Sequence, residues 1–527
     1  MSMLWQTKES RIQLLKDIVA HDSVTGSQGE LSFPYFIKEE LMKLDYFNQN
    51  ESHIKMIETS DYKHALMAMY RSYTTDKTVI IMSHYDTVDV IDFGHFESIA
   101  FDSDALHKAY NKHVDAFNPY IQKDIESNQY LFGRGVMDMK SGLMMHMSLL
   151  ERAINESWPI NIILLTVPDE EVNSSGMRDA VVYLDQYIKE ENLKLILTLN
   201  GEPTFSQHPE DDQYYIYSGS IGKIMPSVFI KGKETHVGEP LNGVSPTYLL
   251  SQINLNIEYN KIFQDYYKNE VTPLPVSLHH KDLKTHYDVQ TPHLAVGYYN
   301  IFKFTKSSES LFKLFHETVK KSVQSATKQL SSIYEHTIHF EVITFETLIE
   351  QAKERLKEED YLSIINQNLH LDDREYAIHI IEQLLNEVYP DGYVVVTYLS
   401  APYYPSVNSS KDKLVKHISK YVIKQMDKHY NRSTERINYF NGISDLSYVK
   451  YEHGPNDATS YEKNTPGFGS KYTIPFKAMH ALDAPVMNIG ALGKDAHQNT
   501  ERIHIDSVSE EVPFILEKVF HKFLFDH

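Results

Sequence analysis

Five short segments of the sequence carry histidines and carboxylates at spacings that suit metal binding. The first, SHYDTV, holds His84 and Asp86 two residues apart at the end of an apolar run. Because residues two apart in an extended chain point to the same side, the Asp86 carboxylate can accept the imidazole N–H and fix the tautomer of a metal-bound His84. A surface histidine beside a turn-forming aspartate would give the same pattern.

The segments GRGVMDMKSG and PDEEVNSSGM add three carboxylates. Asp138 stands just before a predicted helix, where it could bridge two cations or cap the helix together with Ser141. Glu170 and Glu171 are neighbours at a strand end and therefore point to opposite sides. One of them could bind a metal while the other takes a proton from water, or both could simply favour the dipole of the following helix.

Two further candidates, Glu202 in NGEPT and His497 in GKDAHQNTERIHI, each come after an apolar strand. Either residue alone is typical of an exposed polar position. Together the five segments supply two histidines, three carboxylate ligands and one spare glutamate. A dinuclear zinc site needs such a set, with one bridging carboxylate and one histidine plus one carboxylate on each metal. Since the chain has no cysteine, any transition metal must be held by His, Asp and Glu.

The composition indicates a globular protein that binds neither nucleic acid nor membranes. The chain has 527 residues, long enough for about two or three domains, with 42% apolar and 23% charged residues. Its net charge of −21 argues against binding to phosphate-rich surfaces. No apolar run reaches the roughly 18 residues of a membrane span, and the N-terminal segment is typical of an amphipathic helix rather than a secretory signal. We therefore expect a cytoplasmic protein.

Alternating strands and helices predict an α/β fold whose mostly parallel sheet is covered by helices on both faces. Between about residues 78 and 200, the apolar runs of TVIIMSHYD, NIILLTVPDEE and LKLILTLNGEP alternate with helical stretches. Residues 89–131 are interpreted as a long polar loop. In such sheets ligands bind beyond the carboxyl ends of the strands, where the candidate residues collect.

The pattern changes after about Gly222. Residues 222–407 predict an α+β domain with extra helices over 346–389. This domain is inserted into the α/β domain, which is formed by residues 1–221 and 408–527.

The ordered motifs HYDTV, GRGVMDMKSG, DEEVNSSGM, NGEPT and HQNTER resemble the M20 family of dizinc aminoacylases, carboxypeptidases and dipeptidases. The resemblance covers nearly the whole chain, and the length and inserted domain are most similar to the arginine-utilisation branch. It implies two zinc ions per subunit. It also implies that His84 and Glu202 bind one zinc and Glu171 and His497 the other. Asp138 would bridge the two and be followed by a cis peptide bond.

The resemblance also implies roles beyond metal binding. Asp86 would orient His84, and Glu170 would be the general base. KGKETHVGEP is similar to a lid segment in the family whose histidine, here His236, polarises the scissile carbonyl, although a surface loop residue is the alternative. GISDLSYV is similar to a site-lining loop with a Ser/Thr–Asp pair, here Ser444 and Asp445, whose alternative role is a helix cap.

These implications predict a zinc-dependent hydrolase that cleaves an amide or peptide bond of a small amino-acid-derived substrate, with a role in arginine utilisation. The alternatives are a dipeptidase or carboxypeptidase, or an inactive M20-like binding protein, although every ligand position is filled. Many family members grip a substrate carboxylate with a lid arginine, but the inserted domain has only Arg355 and Arg374, which stand among acidic residues. The short separation of His236 from Glu202 resembles that of family members in which the partner subunit's lid supplies this histidine, and the resemblance therefore implies a homodimer.

Overall fold

The computed structural model describes residues 3–208, 211, 213–334 and 337–525, and the chain divides into two compact units. The first unit comprises Met1–Ser220, Val407–Tyr451 and Pro475–His527. The second comprises Ile221–Ser406 and Glu452–Ile474. The chain therefore returns to the second unit at Glu452, whereas the sequence analysis placed this segment in the α/β domain.

The described residues contain sixteen α-helices. In chain order they are α1 (Lys8–Ala20), α2 (Gln28–Met42), α3 (Asp45–Gln49), α4 (Ser103–Lys112), α5 (Pro119–Ser127), α6 (Lys140–Asn155), α7 (Ser175–Glu190), α8 (Pro246–Ile257), α9 (Ser308–Tyr334), α10 (Phe345–Arg355), α11 (Glu358–Ile365), α12 (Asp373–Val388), α13 (Lys413–Tyr430), α14 (Pro455–Asn464), α15 (Phe476–Leu482) and α16 (Val512–Val519).

The strands are mostly short and buried. In chain order they are β1 (Ile54–Glu58), β2 (His64–Tyr70), β3 (Lys77–His84), β4 (Tyr130–Phe132), β5 (Asn161–Val167), β6 (Lys194–Asn200), β7 (Thr204–Phe205), β8 (Tyr214–Tyr217), β9 (Gly219–Ser220), β10 (Gly222–Lys231), β11 (Tyr266–Tyr267), β12 (Glu270–Val271), β13 (Val276–Asp282), β14 (Leu294–Lys303), β15 (Glu341–Thr344), β16 (Val394–Tyr404), β17 (Val407–Asn408), β18 (Thr434–Ile437), β19 (Val486–Asn488), β20 (Leu492–Lys494) and β21 (Arg502–His504).

The first unit is built on an eight-stranded sheet of order β1-β2-β5-β3-β6-β19-β8-β18. The central strands β5, β3, β6 and β19 run parallel to one another. Successive residues of β3 face opposite sides, and Ile80, Ile81 and Met82 are each at most 1% exposed. Both faces of the sheet are therefore covered, with α6 packed on β3 and α7 on β1 and β2. This confirms the predicted α/β fold.

A smaller sheet of order β4-β21-β20-β7 lies in the same unit. Strand β4 leads into the loop that carries Asp138, and β7 follows Glu202. The antiparallel strands β20 and β21 flank the loop that carries His497. This sheet therefore ties together three loops that hold candidate ligands.

The prediction of a polar loop over residues 89–131 is wrong, because this segment contains α4 and α5. Leu106 and Tyr110 on α4 lie four residues apart, as do Ile121 and Ile125 on α5, and all four belong to one small hydrophobic cluster. Such spacing places each pair on one face of its helix. Because the helices are short and their outer faces are polar, the apolar periodicity was not recognised among the Asp, His and Asn residues.

The second unit contains a five-stranded sheet of order β13-β14-β10-β16-β15. All neighbours are antiparallel except β15 and β16. Phe229 of β10 belongs to a core formed with α10 and α12, and α8 and α9 also pack on β10. Helices α10, α11 and α12 occupy the stretch for which the sequence predicted extra helices. Among the described residues of the whole chain, no helix is long and apolar enough to cross a membrane.

Candidate metal centre

Three neighbouring parallel strands of the first unit end at one edge of the large sheet, and each delivers candidate residues there. His84 is the last residue of β3, Glu170 and Glu171 follow β5, and Glu202 follows β6. Because β3 pairs in parallel with both β5 and β6, the carboxyl ends of the three strands lie side by side. The sheet order thus brings together residues that are far apart in the sequence.

Asp138 lies between the two candidate histidines. Its Oδ1 is 3.0 Å from Nε2 of His84, and its Oδ2 is 3.2 Å from Nε2 of His497. The peptide bond between Asp138 and Met139 is cis, as the resemblance implies. A carboxylate that presents one oxygen to each histidine is suited to bridge two metal ions.

Each histidine also has a second carboxylate nearby. Glu202 Oε1 lies 3.5 Å from Nε2 of His84, and Glu171 Oε1 lies 3.1 Å from Nε2 of His497. One ligand atom each from His84, Asp138 and Glu171 lie within 4.8 Å of one another. The structure thus brings together all five residues that the sequence analysis assigned to metal binding, in the pairs that it assigned.

Asp86 connects His84 to the two adjacent glutamates. Its Oδ1 accepts the backbone N–H of Glu170 at 3.0 Å, and its Oδ2 accepts the N–H of Glu171 at 3.2 Å and the Thr25 hydroxyl at 2.8 Å. His84 Nδ1 is 3.5 Å from Asp86 Oδ1 and 3.1 Å from the Asp86 carbonyl oxygen. Asp86 is thus placed to orient His84 and also holds the backbone of both glutamates, which the sequence did not indicate.

A buried ion-pair cluster anchors the turn that carries Glu170, and sequence reasoning missed it. Lys63 Nζ is 2.7 Å from Oδ1 of Asp169 and 3.1 Å from Oε1 of Glu30. Asp169 adopts a positive φ of 68°, and its Oδ2 accepts the backbone N–H of Ser175 at 3.0 Å. Asp169 stood inside the PDEE motif, but Lys63, 106 residues away, gave no local signal.

The two candidate histidines and Asp138 stabilise one another's charged forms. Burial alone would lower the pKa of His84, but hydrogen bonds to Asp138 and Asp86 raise it well above its usual value. Hydrogen bonds to Asp138 and Glu171 raise the pKa of His497 to about 11. Burial opposes ionisation of Asp138, yet the two histidines hold its pKa below the usual range. Positive charge is thus favoured at the positions of both imidazoles.

The remaining carboxylates destabilise one another's ionised forms. Burial and the neighbouring acidic groups raise the pKa of Glu170 and of Glu202 well above the usual value. Among the described residues, none donates a hydrogen bond to the buried Oε2 of Glu202. Divalent cations would neutralise this crowding and give that oxygen a partner. Imidazole and carboxylate donors without sulfur suit zinc and other first-row divalent ions, so the residues fit a dinuclear metal centre.

Ser444 and Asp445 lie in the first unit, and both side chains are buried. Ser444 Oγ accepts the backbone N–H of Leu446 at 3.2 Å and the Asn200 side-chain amide at 2.9 Å, so it caps the turn as the alternative proposed. Burial raises the pKa of Asp445 to about 7, and its charge in turn raises the pKa of Glu170. Their assignment as substrate-binding residues stays a prediction.

His236 lies in the second unit, on an exposed loop. Its Nδ1 accepts the backbone N–H of Gly238 at 3.1 Å. It is not among the residues that gather in the first unit, and its catalytic role stays a prediction.

The chain is similar to known proteins in both sequence and fold. Residues 98–468 match the sequence model of peptidase family M20/M25/M40. The chain is 35% identical to the uncharacterized protein YqjN of Bacillus subtilis (strain 168), over 98% of this chain and 96% of YqjN. It is 28% identical to the protein RocB of the same organism, over 96% and 93% of the two chains. Among solved structures, the M20 family metallo-carboxypeptidase Sso-CP2 from Sulfolobus solfataricus shares the fold, with a TM-score of 0.56, 13% identity and coverage of 97% and 98%.

Proposed function

Because the chain belongs to peptidase family M20/M25/M40, whose members are metal-dependent hydrolases of C–N bonds, we propose that it uses two zinc ions to cleave an amide or peptide bond of a small amino-acid-derived substrate. The observation that carries this proposal is the position of Asp138, with one carboxylate oxygen 3.0 Å from His84 and the other 3.2 Å from His497. His84 with Glu202 and His497 with Glu171 would hold one ion each.

The proposed chemistry assigns separate tasks to the two adjacent glutamates. Bound zinc would supply Lewis acidity, which polarises a carbonyl and makes water more acidic. Glu171 faces His497 and is assigned to binding, whereas the Oε2 of Glu170 lies 3.9 Å from Nε2 of His84. Glu170 would take the proton from the attacking water and then give it to the leaving amine. Asp86 would hold both glutamates through their backbone N–H groups.

We propose that the substrate is cationic, as a substrate of arginine utilisation would be. The whole chain carries a net charge of −21, which would attract a cationic substrate more strongly than an anionic one. The two arginines of the second unit are already engaged within it: Arg374 Nε donates to Asp372 at 3.0 Å, and Arg355 donates to the Val388 carbonyl. Neither arginine is therefore assigned to binding a substrate carboxylate. The proposed setting is the cytoplasm.

We propose that the protein is a homodimer joined through the second unit, in which His236 of one chain polarises the scissile carbonyl in the active site of the other. Strand β13 is an edge strand of its sheet, so its outer backbone groups can pair with a second copy. Strand β13 and the C-terminal end of α8 expose apolar side chains: Leu255 is 75% accessible, Tyr259 66% and Leu278 52%. Sedimentation of the wild type and of Leu278→Asp tests this proposal: a dimer that the substitution dissociates is expected, and a monomeric wild type would contradict it.

The hydrolase proposal is tested with zinc-loaded protein and a panel of N-acyl amino acids and dipeptides that includes arginine, ornithine and glutamate derivatives. We expect release of the free amine from N-acyl derivatives of arginine or ornithine, with slower release from the glutamate series. Zinc removal should abolish the release, and zinc addition should restore it. If fully zinc-loaded protein hydrolyses no member of the panel, the proposed substrate class is wrong.

A further inference from the structure

Two of the ligand-bearing motifs contain a buried ion pair that metal binding does not use directly. Arg134 belongs to GRGVMDMKSG and Glu501 to HQNTER. Nη1 of Arg134 is 2.9 Å from Oε2 of Glu501, and the two side chains are 2% and 0% exposed. Removing two charges from water is costly unless further hydrogen bonds satisfy them. Each member of the pair therefore needs further hydrogen-bond partners.

Glu501 binds the backbone of the loop that carries Asp138. Its Oε1 accepts the N–H of Met137 at 3.0 Å and the N–H of Asp138 itself at 3.2 Å. The carbonyl oxygen of Glu501 accepts the N–H of Gly133, at the start of the same loop, at 3.2 Å. Three contacts from one residue therefore set the path of the chain from Gly133 to Asp138.

Glu501 also belongs to the loop that carries His497. It follows His497 by four residues, and its own N–H donates to the Gln498 carbonyl oxygen at 2.9 Å. A shift of Glu501 would therefore change the position of the His497 loop relative to the backbone of Asp138.

Arg134 extends the connection to the segment that follows His84 and Asp86. Its Nε donates to the Asp89 carbonyl oxygen at 3.0 Å, and its Nη2 donates to the Asp92 carboxylate at 2.7 Å. The planar guanidinium thus binds three different acceptors in fixed directions, which a lysine could not reproduce. The pair spans the chain segments that carry or follow His84, Asp138 and His497.

We propose that Arg134 and Glu501 are positioning residues that hold Asp138 in register between His84 and His497. This inference rests on the proposed metal centre. Asp138 can serve both ions only if each oxygen faces its own histidine, so a small rotation of its backbone would weaken both sites together. Partners that orient metal ligands typically change metal affinity by about 10–100-fold when they are removed.

A second ion pair in the same unit, with a buried glutamate and a half-buried arginine, provides a control. Glu511 accepts Nη2 of Arg432 at 3.0 Å and Nε at 3.1 Å, with side chains 8% and 21% exposed. Nε and Nη2 of Arg432 both donate to the Glu511 carboxylate, and neither residue belongs to a loop that carries a candidate ligand. Glu511→Gln therefore perturbs a comparable pair without acting on Asp138.

The test measures Co²⁺ and Zn²⁺ affinity by chelator competition, together with the visible spectrum of the Co²⁺-loaded protein. Glu501→Gln retains an oxygen that can accept the backbone N–H groups, whereas Glu501→Ala removes it. Arg134→Lys keeps the positive charge but loses the planar guanidinium that binds three acceptors. We expect Glu501→Ala to lower affinity about 10–100-fold and to change the Co²⁺ spectrum, with Glu501→Gln rescuing part of the loss. Urea unfolding of each variant identifies those that fold.

The control decides between a positioning role and a merely stabilising one. Glu511→Gln should lower stability while leaving Co²⁺ affinity within about twofold of the wild type. The inference is overturned if folded Glu501 and Arg134 variants bind Co²⁺ with wild-type affinity and spectrum, or if Glu511→Gln weakens binding equally. In either case a metal-loaded, active wild type would leave the proposed function standing. A wild type that binds neither Co²⁺ nor Zn²⁺ would overturn both.

Discussion

Replacing Glu170 by glutamine should separate proton transfer from metal binding. Glu170 and Glu171 are adjacent, and both donate their backbone N–H groups to Asp86. Their side chains serve different neighbours, because Glu171 Oε1 lies 3.1 Å from His497 whereas Glu170 Oε2 lies 3.9 Å from His84. Glutamine keeps the shape of glutamate but cannot take a proton. The same substitution at the two positions therefore tests two different roles in one loop.

The expected size of the effect follows from the role assigned to each residue. A positioned general base contributes about 10²–10⁴ to the rate, which corresponds to about 2.7–5.4 kcal/mol of transition-state stabilisation at 1.36 kcal/mol per tenfold change. Glu170→Gln should lower kcat by that factor while zinc content stays near the wild-type value. Glu171→Gln removes an anionic ligand, so zinc content at limiting metal should fall, and excess zinc should restore part of the activity.

The assay combines steady-state kinetics with metal analysis of the same samples. Each variant is dialysed against limiting zinc, its metal content is measured, and kcat is determined before and after addition of excess zinc. If Glu170→Gln turns over at the wild-type rate, the acid–base assignment is wrong. If it loses zinc as readily as Glu171→Gln does, Glu170 is a ligand, and the division of tasks between the two glutamates fails.

Four further measurements test the metal content, the role of His236 and the packing of the first unit. Metal analysis of the zinc-saturated protein should give two equivalents per chain, and a plateau at one would contradict a bridging role for Asp138. His236→Ala should lower kcat with zinc content intact, and unchanged kinetics would remove His236 from the mechanism. Leu106 is fully buried in the small cluster of α4 and α5, so Leu106→Ala should lower the free energy of urea unfolding by about 2–5 kcal/mol. A change near zero would mean that this segment has no hydrophobic core. His146 is 1% exposed, and burial lowers its pKa to about 3; its neutral form stabilises the fold above pH 6.5, and this contribution is lost as the pH falls. His146→Met should therefore gain about 2–3 kcal/mol relative to the wild type between pH 7 and about pH 4.5, and a difference that does not change with pH would refute the buried neutral state.

Local patterns in the sequence were sufficient to predict the α/β fold and the candidate ligands. Apolar runs such as TVIIMSHYD predict buried strands, and parallel strands present their carboxyl ends at one edge of a sheet. Polar residues placed directly after such runs, including His84, Glu171 and Glu202, are therefore predicted to lie close together, however many residues separate them in the chain. Only the residue types and their position relative to each strand are needed for this inference. The ordered motifs then indicated the family.

Contacts between distant segments decided what the sequence could not. The backbone N–H of Asp138 binds Glu501, 363 residues away, and Lys63 binds Asp169 across 106 residues. No periodicity records such a pairing, because it depends on how loops close after the sheet has assembled. The fold of residues 89–131 was missed for a related reason, since Leu106 and Ile121 become recognisable as core residues only when α4 and α5 pack together. The sequence alone thus indicated which groups could bind metal, and only the tertiary structure shows which backbone contacts hold Asp138 between two histidines.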